Sequence, residues 1–199
     1  MNYEMIFATN NKHKLQEVRE ILSPKGIVVY GLSDLLLKPE EVEENGKDYA
    51  ENALIKAKAV QKLTIMPVIA DDSGLEVLSM DNKPGLHTAR FADECGGYQN
   101  AFNKILENVQ GKDRSARFMC TIVLLNVDDR PLIFEGKVPG HIAEKPYGEG
   151  GFGYDPVFVC DEVGKTYAEI DKATKNKVSH RAKALLKMVT YLRINQKIK

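Results

Sequence analysis

The chain lacks a net charge: of 199 residues, 28 are Lys or Arg and 28 are Asp or Glu. No global field therefore favours a nucleic-acid polymer or an anionic membrane, and any cations that bind phosphate must be gathered locally. Cysteine is scarce. Cys95, Cys120 and Cys160 are widely spaced with no Cys-x-x-Cys, which argues against a disulfide framework or a zinc knuckle and for a reducing compartment. No apolar run approaches the roughly 18 residues needed to span a bilayer. The first residues, Met-Asn-Tyr-Glu-Met-Ile-Phe, lack the basic region and long apolar stretch of a signal peptide. The expectation is a cytoplasmic protein with no membrane partner. There is also no G-x-x-x-x-G-K-[ST] loop, internal repeat, low-complexity tract or linker. What is present, 43% hydrophobic and 28% charged residues, can bury a sizeable core as one domain or as one domain with two lobes.

Residues 68 to 76, Val-Ile-Ala-Asp-Asp-Ser-Gly-Leu-Glu, organise the rest of the chain. An apolar run patterned as a buried strand stops on Asp71 and Asp72, and Ser73-Gly74 supplies a turn. Successive strand side chains point to opposite faces, so both acids can face one ligand only if the backbone turns there. Two acids at the mouth of an apolar strand are costly to bury unpaired, and a hard cation or an activated water would offset that cost. The resulting reading is Mg²⁺-assisted phosphate chemistry. Asp-Asp-Ser-Gly is equally good chemistry for a solvated turn.

In chain order, the pattern predicts a strand over 4–9 and a helix over 12–22 with Leu15, Val18 and Leu22 on one face. Between them, Thr9-Asn10-Asn11-Lys12-His13-Lys14 is a donor-rich junction at a helix N-terminus, which suits an anion; plain N-capping by Asn10 or Asn11 fits as well. A strand over 27–30 is followed by the acidic run Glu40-Glu41-Val42-Glu43-Glu44. Asp48 reads as the N-cap of a helix over about 49–63, on which Asn52 and Lys56 share one edge. Asn82-Lys83-Pro84-Gly85 is a turn, Thr88 to Phe91 a loop carrying Arg90, and 98–110 an amphipathic helix stopped by Gly111. Two strands, 116–127 and 132–138, form a hairpin.

Gly148-Glu149-Gly150-Gly151-Phe152-Gly153 matches G-x-G-x-x-G, but Tyr154-Asp155-Pro156 opens a strand rather than a helix, so a dinucleotide loop is rejected. Glycines that allow close approach, Phe152 or Tyr154 to stack and Asp155 to accept hydrogen bonds suit a flat base; a structural tight turn competes with that reading. Ser179 reads as the N-cap of a final helix. His180 and Arg181 then lie in its first turn, where cations oppose the macrodipole unless an anion is near.

Together these segments resemble the inosine/xanthosine triphosphate pyrophosphatase family. The resemblance is carried by Thr9-Asn10-Asn11-x-x-Lys14, Glu51-Asn52-Ala53-x-x-Lys56-Ala57, Ala70-Asp71-Asp72-Ser73-Gly74-Leu75, Pro84-Gly85, Ala89-Arg90, Gly150 to Pro156 and Ser179-His180-Arg181. These run in family order over essentially the whole chain. The resemblance implies an α/β fold, an elongated mixed sheet flanked by helices in two lobes with a central nucleotide cleft, within one domain of residues 1–199. It further implies a homodimer that uses Mg²⁺ to hydrolyse ITP, dITP and XTP to monophosphate and pyrophosphate.

Residue by residue, the resemblance has Thr9, Asn10, Asn11, Lys12, His13, Lys14, Lys56 and Arg90 contact the phosphates. Asp72 is then the base and a metal contact, with either Glu43 or Glu44 as the second metal acid. Ser73 touches substrate, while Phe152, Gly153, Tyr154, Asp155, Lys175, His180 and Arg181 surround the purine. Family members often have Thr-Gly-Asn where this chain has Thr9-Asn10-Asn11, and Asn also tolerates left-handed geometry. Donors such as Arg181 or a backbone N–H facing O6 would reject adenine. The competing readings are a pyrimidine triphosphate pyrophosphatase of related fold and a nucleotide-binding protein without turnover.

Overall fold

Alternation along the strands decides which side chains meet. The computed structural model, which describes residues 3–198, has strands β1 (Tyr3–Phe7), β2 (Ile27–Gly31), β3 (Val68–Val77), β4 (Lys83–Pro84), β5 (Ser115–Leu125), β6 (Leu132–Ile142), β7 (Phe158–Cys160) and β8 (Lys165–Thr166). Its α-helices are α1 (Lys12–Leu22), α2 (Tyr49–Gln61), α3 (Thr88–Glu94), α4 (Tyr98–Asn108), α5 (Lys172–Val178) and α6 (His180–Ile194). The result is a mixed α/β fold. It divides into two compact units: the chain up to Asp72 with Cys120–Gly136 and the segment from Arg181, and Ser73–Met119 with Lys137–His180.

In the first unit the strands follow the order β2-β1-β3-β5-β6, and β1 runs parallel to both β2 and β3. Met5, Phe7, Ile69, Ile122 and Leu124 point one way, onto Val18, Ile21 and Leu22 of α1 and Leu185, Met188 and Leu192 of α6. Ile6, Ala8, Val68, Ala70, Val123 and Leu125 point the other way, onto Ala53, Ala57 and Val60 of α2. Both faces are covered, which is why these strands are written as unbroken apolar runs rather than as alternating ones. Each fully buried aliphatic side chain here contributes about 1.5–3 kcal/mol.

The second unit takes the other ends of β3, β5 and β6 together with β4, β7 and β8, and here β6 pairs antiparallel with β7 and β7 with β8. Along β6, Val138, Gly140 and Ile142 are buried while Lys137, Pro139 and His141 are exposed, the alternation of a strand with one covered face. Leu75, Val77, Phe102, Ile105, Phe118, Phe158 and Tyr167 belong to its core.

Local signals predicted most boundaries. Asn11 caps α1 by accepting from Lys14 N, and Asp48 caps α2 by accepting from Glu51 N. Gly111 takes a left-handed φ of 69° beyond α4. The expected turn at Ser73-Gly74 does not occur. Strand β3 runs on through both acids and pairs Glu76 and Val77 with Pro84 and Lys83; partners on opposite faces satisfy the two carboxylates in place, so no turn is needed. Thr88 to Phe91 is helical rather than a loop, fixed by Thr88 Oγ1, which accepts from Leu75 N and donates to the Gly85 carbonyl. The segment before the last helix contains a further helix, α5, capped by Asp171. Ser179 therefore joins two helices.

Candidate active site

The parity that sorts Ile69 from Ala70 continues into the acids. Asp71 lies on the α1/α6 side and is only 3% exposed. Its Oδ2 accepts from Arg181 Nε at 3.1 Å and Nη2 at 2.9 Å, and its Oδ1 from Lys14 Nζ at 3.1 Å. Arg181 Nη1 donates to Glu17, which is also buried. Two carboxylates and two cations thus balance in a cluster held between α1, β3 and α6.

Asp72 lies on the α2 side. Its Oδ2 accepts from Asn52 Nδ2 at 3.1 Å, and its Oδ1 is 3.5 Å from Lys56 Nζ. Lys56 Nζ also donates to Glu44 Oε2 at 2.8 Å, so one ammonium bridges two acids. Glu44 is the member of the acidic run that reaches Lys56; both Glu43 and Glu44 are exposed. The Asn52 and Lys56 edge foreseen on this helix is therefore the edge that meets Asp72.

Burial pushes the Asp72 carboxyl above the usual carboxylate range, against the opposing pull of Lys56 and the Asn52 hydrogen bond. Burial by itself would lower the Lys56 ammonium, but Asp72, Asp71 and Glu44 outweigh it and the net shift is upward. Arg181 behaves alike: burial is overcome by Asp71 and Glu17, and its charge is held more firmly than usual. Cys120, whose Sγ lies 4.0 Å from Asp71 Oδ2, has its thiol pushed up to about 12, first by burial and then by Asp71. It is a core residue, not a nucleophile.

Ahead of α1, Thr9 is half-buried, Asn10 to His13 are exposed and Lys14 is half-buried. Thr9 Oγ1 accepts from Asn11 N at 3.1 Å. The first turn of α1 contains no acid and three basic residues in succession, Lys12, His13 and Lys14, an arrangement that opposes the macrodipole and favours a bound anion.

In the second unit the glycine-rich loop is anchored by its own acid. Asp155 Oδ2 accepts from Phe152 N at 2.8 Å and from Lys175 Nζ at 2.6 Å. Lys175, buried on α5, also sits 4.5 Å from the centroid of the Phe152 ring. Gly151 and Gly153 take φ of 73° and 62°, which side-chain-bearing residues adopt at a cost. The two candidate stacking rings now separate: Phe152 is half-exposed, whereas Tyr154 is 2% exposed and donates its hydroxyl to the Thr88 carbonyl. His180 is buried in a ring stack, 4.5 Å from Phe118 at 9° and 6.3 Å from Tyr167 at 16°. Ser73 is half-buried on β3, and Arg90 is exposed on α3.

The structure gives Arg181 partners other than the purine expected for it: the guanidinium is 2% exposed and bonded to Asp71 and Glu17. Those two acids are the anions that its place in a first helical turn called for. Glu17, Phe118 and Tyr167 were not among the residues expected at the site. A signal for Glu17 existed, since it lies one turn from both Lys14 and Ile21 on the face that carries Val18. For Phe118 and Tyr167 there was none, because apolar rings in strands read as core. Among the described residues, no three His, Cys, Asp or Glu side chains form a ready-made metal cage.

Comparison with known proteins sets this arrangement among relatives. The family model described as "Ham1 family" matches residues 5–191. The dITP/XTP pyrophosphatase of Bacillus subtilis (strain 168) is 43% identical over 188 residues, covering 93% of this chain and 94% of its own. That of Dictyoglomus thermophilum is 43% identical over 192 residues, covering 94% and 93%. Among solved structures, the Staphylococcus aureus Ham1 protein superposes with a TM-score of 0.83 at 37% identity, covering 96% of this chain and 99% of its own. The Mycobacterium abscessus nucleoside-triphosphatase / dITP/XTP pyrophosphatase gives a TM-score of 0.72 at 34% identity, with 93% and 98% covered.

Proposed function

Because the chain belongs to the Ham1 family, we propose that it hydrolyses deaminated purine nucleoside triphosphates (ITP, dITP and XTP) to the monophosphate and pyrophosphate. Such an activity removes these nucleotides from the pool before they are incorporated into DNA or RNA. The observation that carries the reading is the buried Asp72 carboxylate, hydrogen-bonded by Asn52 and paired with Lys56, in a chain whose dITP/XTP pyrophosphatase relatives match 93% and 94% of its length.

The roles follow the family resemblance, and the chemistry of the residues is compatible with them. Asp72 is the general base: held by Asn52, it takes the proton of the attacking water. Lys12, His13 and Lys14 at the α1 N-terminus, with Thr9, Asn10 and Asn11, supply donors and positive charge for phosphate oxygens. Lys56 and the exposed Arg90 add cations that stabilise the departing pyrophosphate. Ser73, next along β3, offers a hydroxyl to the substrate. Phe152 presents a ring face to the purine, and Lys175, Gly153, Tyr154, Asp155 and His180 form the frame around it. Arg181 acts from behind, by fixing Asp71 next to the base.

The Lys56 ammonium bridging Glu44 and Asp72 marks a spot whose donors suit a hard cation, so Asp72 and Glu44 would hold Mg²⁺, with Glu43 adjacent. When bound, such an ion polarises phosphoryl oxygens and lowers the pKa of coordinated water. The protein is proposed to act as a homodimer, on the strength of the family resemblance. A cytoplasmic location fits three free cysteines, and no helix among the described residues is long and apolar enough to cross a membrane.

The test is pyrophosphate release over a panel of ITP, XTP, dITP, ATP, GTP, CTP, UTP and dUTP. Turnover of the first three well above the rest supports the reading. Preference for a pyrimidine nucleotide would replace it with the pyrimidine triphosphate alternative, and binding of ITP without release would indicate a nucleotide-binding protein. Sedimentation of the protein at micromolar concentration tests the dimer, which a single species at the 22.3 kDa chain mass would refute.

A further inference from the structure

Tyr98 opens α4 and keeps 42% of its surface exposed, although it sits where the base-binding loop needs support. Its ring meets that of Tyr154 edge-on, with centroids 5.3 Å apart and planes at 81°. A Cβ built on Gly153 would lie 3.8 Å from Tyr98 Cε1 and 3.9 Å from its hydroxyl oxygen, so the ring faces the side of Gly153 that carries no side chain. Tyr154 is itself fixed by its bond to the Thr88 carbonyl and by Phe102, whose ring is 5.9 Å away. At the other end of the loop, Asp155 ties Phe152 N to Lys175.

The loop contains Gly151, just before Phe152, and Gly153, between Phe152 and Tyr154, both at positive φ. Glycines there have many other conformations open to them. Two rings of α4 reach this stretch: Phe102 is buried behind Tyr154, whereas Tyr98 meets Tyr154 edge-on beside Gly153 and is used by none of the roles already assigned.

We propose that Tyr98 is a positioning residue for substrate binding: its ring holds the Gly151–Asp155 loop in the conformation that receives the purine. The proposal rests on the reading given under Proposed function. Without the ring the loop samples conformations that do not bind, and the binding step must reorder it, which weakens apparent affinity by the fraction of time the loop is competent. The chemical step, carried by Asp72, is untouched. Loss of an edge-on aromatic contact corresponds to about a two- to tenfold change.

The test compares the full-length parent with Tyr98→Ala, Tyr98→Leu and Tyr98→Phe, using ITP kinetics and amide hydrogen exchange without nucleotide. In the Ala and Leu variants, KM for ITP should rise about two- to tenfold while kcat stays within about twofold. Exchange at Phe152 to Tyr154 should quicken while that of β7 is unchanged, and Tyr98→Phe should restore both. Tyr98→Leu keeps apolar bulk on α4, so it answers the question if the Ala variant folds poorly. Unchanged loop exchange, a fall in kcat at constant KM, or a Phe variant as impaired as the Ala variant would each overturn the proposal. A parent that releases no pyrophosphate from ITP would instead overturn the proposed function, and the exchange arm would still decide whether Tyr98 holds the loop.

Discussion

The two regions that carry the candidate site residues are built on different physics. Around Asp71 and Asp72 the contacts are charge on charge: buried acids, each with a cation and a hydrogen-bond donor, placed by strand parity onto helices α1, α2 and α6. Around Gly151 to Asp155 the contacts are rings and backbone: Phe152 with Lys175, Tyr154 with Tyr98 and Phe102, His180 on Phe118. A buried ion cluster is satisfied or broken as a whole, because removal of one member leaves an uncompensated charge. An aromatic frame loosens by degrees. The first arrangement suits chemistry that needs one fixed geometry, the second suits discrimination among flat ligands.

The sharpest way to break the first region is at Arg181. Arg181→Ala leaves Asp71 and Glu17 buried without their shared cation, and the expected cost is about 3–5 kcal/mol of folding stability, measured as a fall in the denaturant midpoint at constant m-value. A variant with parental stability but a tenfold lower ITP/ATP ratio of kcat/KM would show that the guanidinium serves the purine instead.

Next in size is Asp72→Asn, which keeps the Asn52 and Lys56 neighbourhood but cannot take a proton. Turnover should fall by about two orders of magnitude or more while nucleotide binding persists. The same variant exposes a pH effect whose sign is opposite to that of an ordinary paired carboxylate. Burial raises the folded Asp72 above the ordinary carboxylate range, so the unfolded chain loses this proton first. Its ionisation therefore destabilises the fold as pH rises from that range through the folded value. Stability of Asp72→Asn relative to the parent, measured in the absence of divalent metal, should climb across that window and level off above it. A difference that runs the other way would mean that Lys56 and Asn52 outweigh burial.

In the second region the effect should be graded. Phe152→Ala removes the ring face while Asp155 still accepts from the residue's own backbone N–H, so KM for ITP should rise about tenfold with a smaller change in kcat. Equal losses in both would place Phe152 in the chemical step. The smallest expected effect concerns thiols. Cys120 and Cys160 are fully buried and Cys95 is half-exposed, and Cys120 titrates only at about 12. Alkylation of the native protein at pH 8 should therefore modify Cys95 alone and leave activity within about twofold. Labelling of Cys120 under native conditions would show that the Asp71 cluster opens.

Much of this was legible in the residues. Helices α1 and α2 and their caps follow from short-range rules, and the unbroken apolar runs announce strands covered on both faces. The acids of β3 stood out because two carboxylates ending an apolar run are costly to bury unpaired, although the same residues read equally well as a solvated turn. Their geometry was not: Ser73-Gly74 has turn chemistry, and only the partners brought by α1, α2 and α6 show that the strand can continue through them. Arg181 illustrates the same limit. Its position in a first helical turn showed that an anion had to be near, but Asp71, 110 positions away in the chain, and Glu17, 164 away, are found only by folding. The contact of Tyr98 with Tyr154 was invisible for a plainer reason, since an aromatic residue at a helix start has no periodicity to set it apart.

In the proposed reaction the α–β phosphoanhydride of a deaminated purine triphosphate is cleaved with Asp72 as base. Its most direct test is chromatographic analysis of the products of ITP with the parent and with Asp72→Asn at matched protein and Mg²⁺. The account predicts IMP and pyrophosphate in equal amounts from the parent and about a hundredfold less of both from the variant. Inosine diphosphate with orthophosphate, or equal product from the two proteins, would contradict it.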